Sequence, residues 1–114
     1  VDDCIFCKIA AGDVPASIVK QDDLVVAFED INPQAPIHIQ IIPRKHIPSV
    51  LELDSAQVDI LARMVETANE IARERGLDER GFRLVFNCGP EAGQTVPHLH
   101  LHLLGGRAMS WPPG

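Results

Sequence analysis

In the stretch Pro97-His98-Leu99-His100-Leu101-His102-Leu103-Leu104, polar and apolar residues alternate from His98 to Leu103. An extended strand sends successive side chains to opposite faces, so it separates the two sets cleanly. A helix would mix them around its circumference. The chain must therefore contain a sheet whose one face takes Leu99, Leu101 and Leu103 while the other takes His98, His100 and His102. At ~3.3 Å per residue, successive imidazoles on that face stand roughly 7 Å apart. A row of groups that titrate near neutrality invites chemistry. Metal ligation is one option, because imidazole is a common zinc ligand. Nucleophilic and acid–base catalysis is the other. Spacing alone does not choose between them.

The rest of the chain supplies partners for this strand. Cys4–Ala11 reads as a short helix ended by Gly12. Ile18–Lys20 and Leu24–Glu29 flank the polar turn Gln21-Asp22-Asp23 as a hairpin. Ile37–Pro43 reads as a strand with Ile37, Ile39 and Ile41 on one face and His38 and Gln40 on the other. Residues 55–75 form the one long helix. Asp54 with Gln57 gives a capping-box start, and Gly76 follows the end. Val58, Leu61, Met64, Val65, Ala68, Ile71 and Ala72 make its apolar stripe. Phe82–Asn87 and His98–Leu104 are the last strands, joined by the Gly- and Pro-rich loop Cys88–Pro97. Tight connections favour antiparallel pairing. The expected fold is α+β, a five-stranded antiparallel sheet with one long helix and a short N-terminal helix, in a single domain over 1–114. The sheet face away from the long helix would carry His38, Gln40, Val85, Asn87 and the alternating histidines.

With 114 residues and 46% hydrophobic composition the chain can bury a real core. Its net charge of −6 argues against a protein that coats nucleic acid. No apolar run approaches the ~18–20 residues of a membrane span. The acidic start Val1-Asp2-Asp3 is followed by no apolar signal segment. Three cysteines, an odd number, do not suit a disulfide scaffold. A reducing cytoplasm is the expected location.

The pattern His-φ-His-φ-His-φ-φ, with φ apolar, is the signature of the histidine triad (HIT) family, and the resemblance extends over nearly the whole chain. It includes Cys4-Ile5-Phe6-Cys7-Lys8-Ile9, Phe28-Glu29-Asp30-Ile31-Asn32-Pro33-Gln34-Ala35-Pro36 and Ile42-Pro43-Arg44-Lys45-His46. It continues through Gly93-Gln94 and Gly105-Gly106-Arg107 to Trp111-Pro112-Pro113-Gly114. The WPPG ending and the Pro-Gln-Ala-Pro-x-His stretch are similar to the Hint branch, the nucleoside phosphoramidate hydrolases.

The resemblance implies hydrolysis of a purine nucleoside 5′-phosphoramidate to the nucleoside monophosphate. His100 would be the nucleophile, passing through a covalent nucleotidyl-histidine, with no metal in the chemical step. A backbone carbonyl would fix its tautomer. His102 would contact the phosphate or assist the leaving amine, and His38 would be a further active-site histidine. Gly93, Gln94 and Thr95 would offer loop amides and a hydroxyl to the phosphate, beside Asn87. Such amides can collect an anion without Lys or Arg. Asp30 would bind the ribose hydroxyls, and Phe6, Ile9, Phe28 and Ile31 would wall the base pocket. Three positions depart from the pattern, with Thr95 for a frequent serine, Pro97 for an aromatic and Cys88 for an acidic residue. They bear on leaving-group preference more than on the reaction.

Cys4-x2-Cys7 alone allows a redox pair or half of a zinc site. Similarity to bacterial members of the family implies a structural zinc held by Cys4, Cys7, His46 and His98. It also implies a homodimer in which two five-stranded sheets join and Trp111 reaches the partner's site. Related branches share the histidine strand. A dinucleoside polyphosphate hydrolase, a nucleotidyltransferase and a nucleotide-binding interaction protein are therefore the alternatives.

Overall fold

The computed structural model describes residues 3–114. Val1 and Asp2, and with them most of the acidic start, lie outside the described residues. The elements run α1 (Ile5–Ala11), β1 (Ile18–Gln21), β2 (Val25–Glu29), β3 (Ile37–Pro43), α2 (Val58–Glu74), α3 (Leu77–Arg80), β4 (Phe82–Val85) and β5 (Leu101–Gly105). Five strands form one antiparallel sheet in the order β1-β2-β3-β5-β4. This is the expected architecture.

Strand alternation decides what each side of the sheet does. Val25, Ala27, Ile39, Ile41, Leu101 and Leu103 face α2 and meet its buried stripe of Ile60, Met64, Ala68, Ile71 and Ala72. Asp54 and Gln57 make the capping box, with a 3-10 turn over Ser55–Gln57 leading into α2. Gly76 follows the helix in the left-handed conformation (φ 74°). That geometry costs glycine nothing and lets the chain turn into α3, whose Leu77 plugs the end of the core. Leu77 leaves no room across from it, because a Cβ on Gly105 would lie 2.5 Å from Leu77 Cδ1. On the opposite face Val26, Phe28 and Ile42 pack with Cys4 and Phe6, so α1 covers one end of that face. The remainder of the face carries the polar residues His38, Gln40 and His102, with Val85 and Leu104 beside them.

Two strands are shorter than the alternation predicts. β4 stops at Val85 instead of Asn87. β5 starts at Leu101 instead of His98. His98 and Leu99 leave the ladder because their amides bond elsewhere, to Val96 and Ile47 carbonyls. Among the described residues, no helix is long and apolar enough to cross a membrane.

Candidate active site and metal centre

β3 and β5 are neighbours with Gln40 opposite His102 and His38 opposite Leu104. This register places His38, Gln40 and His102 on the face opposite α2. Phe28 lies beside Gln40 on the same face. A cavity of about 490 Å³ opens there, the size of a small-molecule site. Phe6, Ile9, Phe28, Asp30, Ile31, Asn87, Gly93, Thr95, His100 and His102 all line it. No Lys or Arg does. Among the walls, Ile31 is fully exposed at the rim, at 100%.

His98 turns away from this cavity. Its Nε2 lies 2.9 Å from the Pro43 carbonyl oxygen, which can only accept, so Nε2 carries the proton. Its Nδ1 lone pair then points at Cys4 Sγ (3.3 Å) and Cys7 Sγ (3.5 Å). His46 Nδ1 completes the cluster, 3.3 Å from Cys7 Sγ. Cys4 also caps α1, its sulfur accepting the Cys7 amide. One ligand atom from each of the four residues lies within 4.8 Å of all the others, and the group could hold a metal ion. Burial, and then Cys4, raise the Cys7 thiol above its ordinary value. Burial lowers His98.

The catalytic candidates sit two and four residues further along. His100 Nδ1 is 2.7 Å from the His98 carbonyl oxygen, so Nδ1 donates and Nε2 keeps its lone pair. The edge of Phe6 packs on the His100 ring at 5.1 Å between centroids. His100 and His102 lie 5.0 Å apart by the same measure.

The other two histidines form a chain of fixed polarity. The Gln34 amide donates to His38 Nδ1 at 3.0 Å. His38 Nε2 must then hold the proton, which it donates to His102 Nδ1 at 2.9 Å. His102 is left with its proton on Nε2, available to the cavity. Asp30, His38 and His102 also cluster tightly enough to suggest a second metal site. The tautomers argue against it. A metal on His38 Nε2 would push the proton to Nδ1, directly against the Gln34 amide.

Burial, then His100 and His38, push His102 down to about 4 against the pull of Asp30. Burial also lowers His38, against Asp30. Both rings are therefore neutral at pH 7. The unfolded chain binds a proton to each below about pH 6.5, whereas the folded chain resists. Stability is therefore expected to fall as pH drops from 6.5 toward 4, by up to about 1.4 kcal/mol per pH unit for His102. Urea midpoints measured across that range should fall less steeply in His102→Gln than in the parent.

The loop Cys88–Pro97 corrects one expectation. The Gly93 amide bonds to the Pro90 carbonyl and the Gln94 amide to the Gly89 carbonyl. The Gln94 side chain is spent on Gly89, Pro48 and Val96. Gln94 is thus a brace for the loop rather than a wall of the cavity. Gly93 and Thr95 do line it. Trp111 is 81% exposed and lies outside the lining of its own chain's cavity. Cys88 is half-buried with its sulfur 3.6 Å from Ser49 Oγ. Gln40, to which sequence reading gave only a face, proves to donate to Asp30 Oδ2 at 2.7 Å. Its place in the alternation of β3 was the available signal.

The model of the HIT domain matches residues 11–109. The chain belongs to the HIT family. A HIT family hydrolase from Legionella pneumophila is 50% identical, with a TM-score of 0.97 over 98% of this chain and 100% of that one. A purine nucleoside phosphoramidase of Escherichia coli is 47% identical over 95% of this chain and 91% of its own length. A 14 kDa zinc-binding protein of Brassica juncea is 47% identical over 98% of this chain and 100% of its own length.

Proposed function

We propose that the chain is a hydrolase that cleaves the P–N bond of purine nucleoside 5′-phosphoramidates, acting as one HIT domain over 1–114. The observation that carries this reading is the His100 ring, whose Nδ1 proton is committed to the His98 carbonyl and whose Nε2 lone pair is left for the cavity. The name of the Escherichia coli relative supports the substrate class.

In this reading Nε2 of His100 attacks phosphorus. An N–P bond forms, the P–N bond to the amine breaks, and the amine leaves with a proton. Water then attacks the nucleotidyl-histidine, releasing the nucleoside monophosphate and restoring the imidazole. His102 Nε2–H is the donor for the phosphate or the leaving amine, and His38 holds that tautomer. Asp30 accepts from the ribose hydroxyls, and Phe6, Ile9, Phe28 and Ile31 flank the base. Asn87, Gly93 and Thr95 lie along the path of the phosphate. Hydrogen-bond donors stabilise the charge developing on phosphorus without a basic patch.

We infer that the second centre is a structural zinc site. Two thiolates at ~2.3 Å and two imidazole nitrogens at ~2.0–2.1 Å from a tetrahedral zinc stand about 3.3–3.8 Å from one another. Three of the nitrogen–sulfur separations, at 3.3–3.5 Å, fall within that range, and the other donor atoms lie within 4.8 Å of one another. The Pro43 carbonyl orients the His98 ring as outer partners of zinc-bound imidazoles do. A metal there would tie α1 to the loop before β5. Reduced thiols suit a cytoplasmic location. β4 is an edge strand. A second copy joining there would extend the sheet, and Trp111 would serve the partner's cavity.

The test is direct. Purified protein incubated with an adenosine 5′-phosphoramidate should release AMP, and much faster than it cleaves a dinucleoside polyphosphate. No AMP release above the buffer rate would overturn the reading.

A further inference from the structure

Gln40 lies mid-strand in β3 and lines the cavity. Its Oε1 is buried and has no hydrogen-bond partner among the described residues. A buried unpaired acceptor is destabilising, so stability does not account for a glutamine here. The other end of the amide explains it. Nε2 donates to Asp30 Oδ2 at 2.7 Å. The same carboxylate oxygen lies 3.4 Å from His38 Nε2, which carries the one proton that His38 gives to His102 at 2.9 Å. Asp30 and His102 thus compete for a single N–H. Asp30 Oδ1 is already held by the Asn32 amide at 2.8 Å. Gln40 supplies Oδ2 with a donor of its own.

We propose that Gln40 is a positioning residue that holds the Asp30 carboxylate toward the cavity, as acceptor for a ligand hydroxyl pair, and keeps it from capturing the His38 proton that sets the tautomer of His102. The ligand half of this statement rests on the nucleotide reading above. The tautomer half does not. In Gln40→Leu the carboxylate loses a strong donor and swings toward His38. The His38 proton is then shared, and His102 no longer has one preferred nitrogen.

Two measurements test this. In ligand-free protein, ¹⁵N spectra of the imidazoles should show His102 protonated on Nε2 alone. In Gln40→Leu both ring nitrogens should move toward a common exchange-averaged shift, while the melting temperature stays the same or rises. A structural role would instead lower the melting temperature. With adenosine and 2′-deoxyadenosine phosphoramidates, the preference of Gln40→Leu for the ribose form should fall about tenfold, the weight of one good hydrogen bond. The same substitution in an Asp30→Asn background should then have almost no further effect. Gln40→Met guards against an effect particular to leucine. Unchanged His102 shifts in both variants, or an undiminished Gln40→Leu effect in the Asp30→Asn background, would overturn the proposal. Failure of the parent to hydrolyse either substrate would instead count against the nucleotide reading, with the spectra still deciding the tautomer.

Discussion

Replacing His100 with asparagine is expected to cut AMP release by at least about four orders of magnitude, as loss of a nucleophile does elsewhere. Asparagine retains an N–H that can reach the His98 carbonyl, so the backbone geometry should survive. It has no lone-pair nitrogen to attack phosphorus. Alanine would give the same loss but would also empty a ring site that is only 7% exposed and packed against Phe6. Single-turnover release of AMP, with a melting curve beside it, separates chemistry from folding. Rates within tenfold of the parent would show that another group attacks. Trapping adds a second reading. Rapid alkaline quench of the parent with labelled substrate, which spares a phosphorus–histidine bond that acid would cleave, should leave label on the protein, and His100→Asn should leave none.

If zinc occupies the Cys4–Cys7–His46–His98 cluster as proposed, stripping it is expected to lower the melting temperature by ten degrees or more. Cys4 is 7% exposed and His98 is fully buried, so the ligands converge inside the fold. Free energies of about 10–16 kcal/mol attach to structural zinc in peptides that do not fold without it. This chain has an independent core, so only part of that would appear as lost stability. Even about 3 kcal/mol corresponds to roughly ten degrees for a domain near this size. Elemental analysis of protein purified without chelator should find one zinc per chain. Cys4→Ser should lose that zinc and melt near the chelated parent. Metal content far below one per chain, or identical melting before and after chelation, would remove the metal centre.

Periodicity made much of this legible. The spacing of Met64, Val65, Ala68, Ile71 and Ala72 and the alternations in β3 and β5 have periods that only a helix and strands accommodate, but the buried face begins at Ile60, and Val58, expected in the stripe, is 62% exposed. The capping box at Asp54 and the turn at Gly76 are local chemistry written in adjacent residues. The Cys4–Cys7–His46–His98 cluster is different. Its ligands are separated by 38 and 51 residues, and only family resemblance joined them before coordinates did. Period-two reasoning also placed His98 in a regular strand. It had no means of seeing that the Leu99 amide would bond to Ile47, across a loop. The inward bonding of the Gly93 and Gln94 amides was hidden for the same reason. A Gly-rich segment advertises backbone donors, but whether they face a ligand or the loop's own carbonyls depends on its closure. Gln40 and Asp30 meet across β2 and β3, and no spacing rule reports which of two acceptors a shared proton chooses.

The short ladder of β5 carries a final consequence. Leu101 and Leu103 hold the core while His102, between them, serves the cavity. Fold and chemistry are interleaved one residue at a time. Such a segment can drift by substitution, leucine to isoleucine or valine, but not in length. One inserted or deleted residue would exchange the two faces, setting an imidazole among the aliphatic side chains and a leucine against the cavity. Variation among descendants of this sequence should therefore be free to lengthen the loop before His98 and forbidden to do so from Leu101 to Leu104.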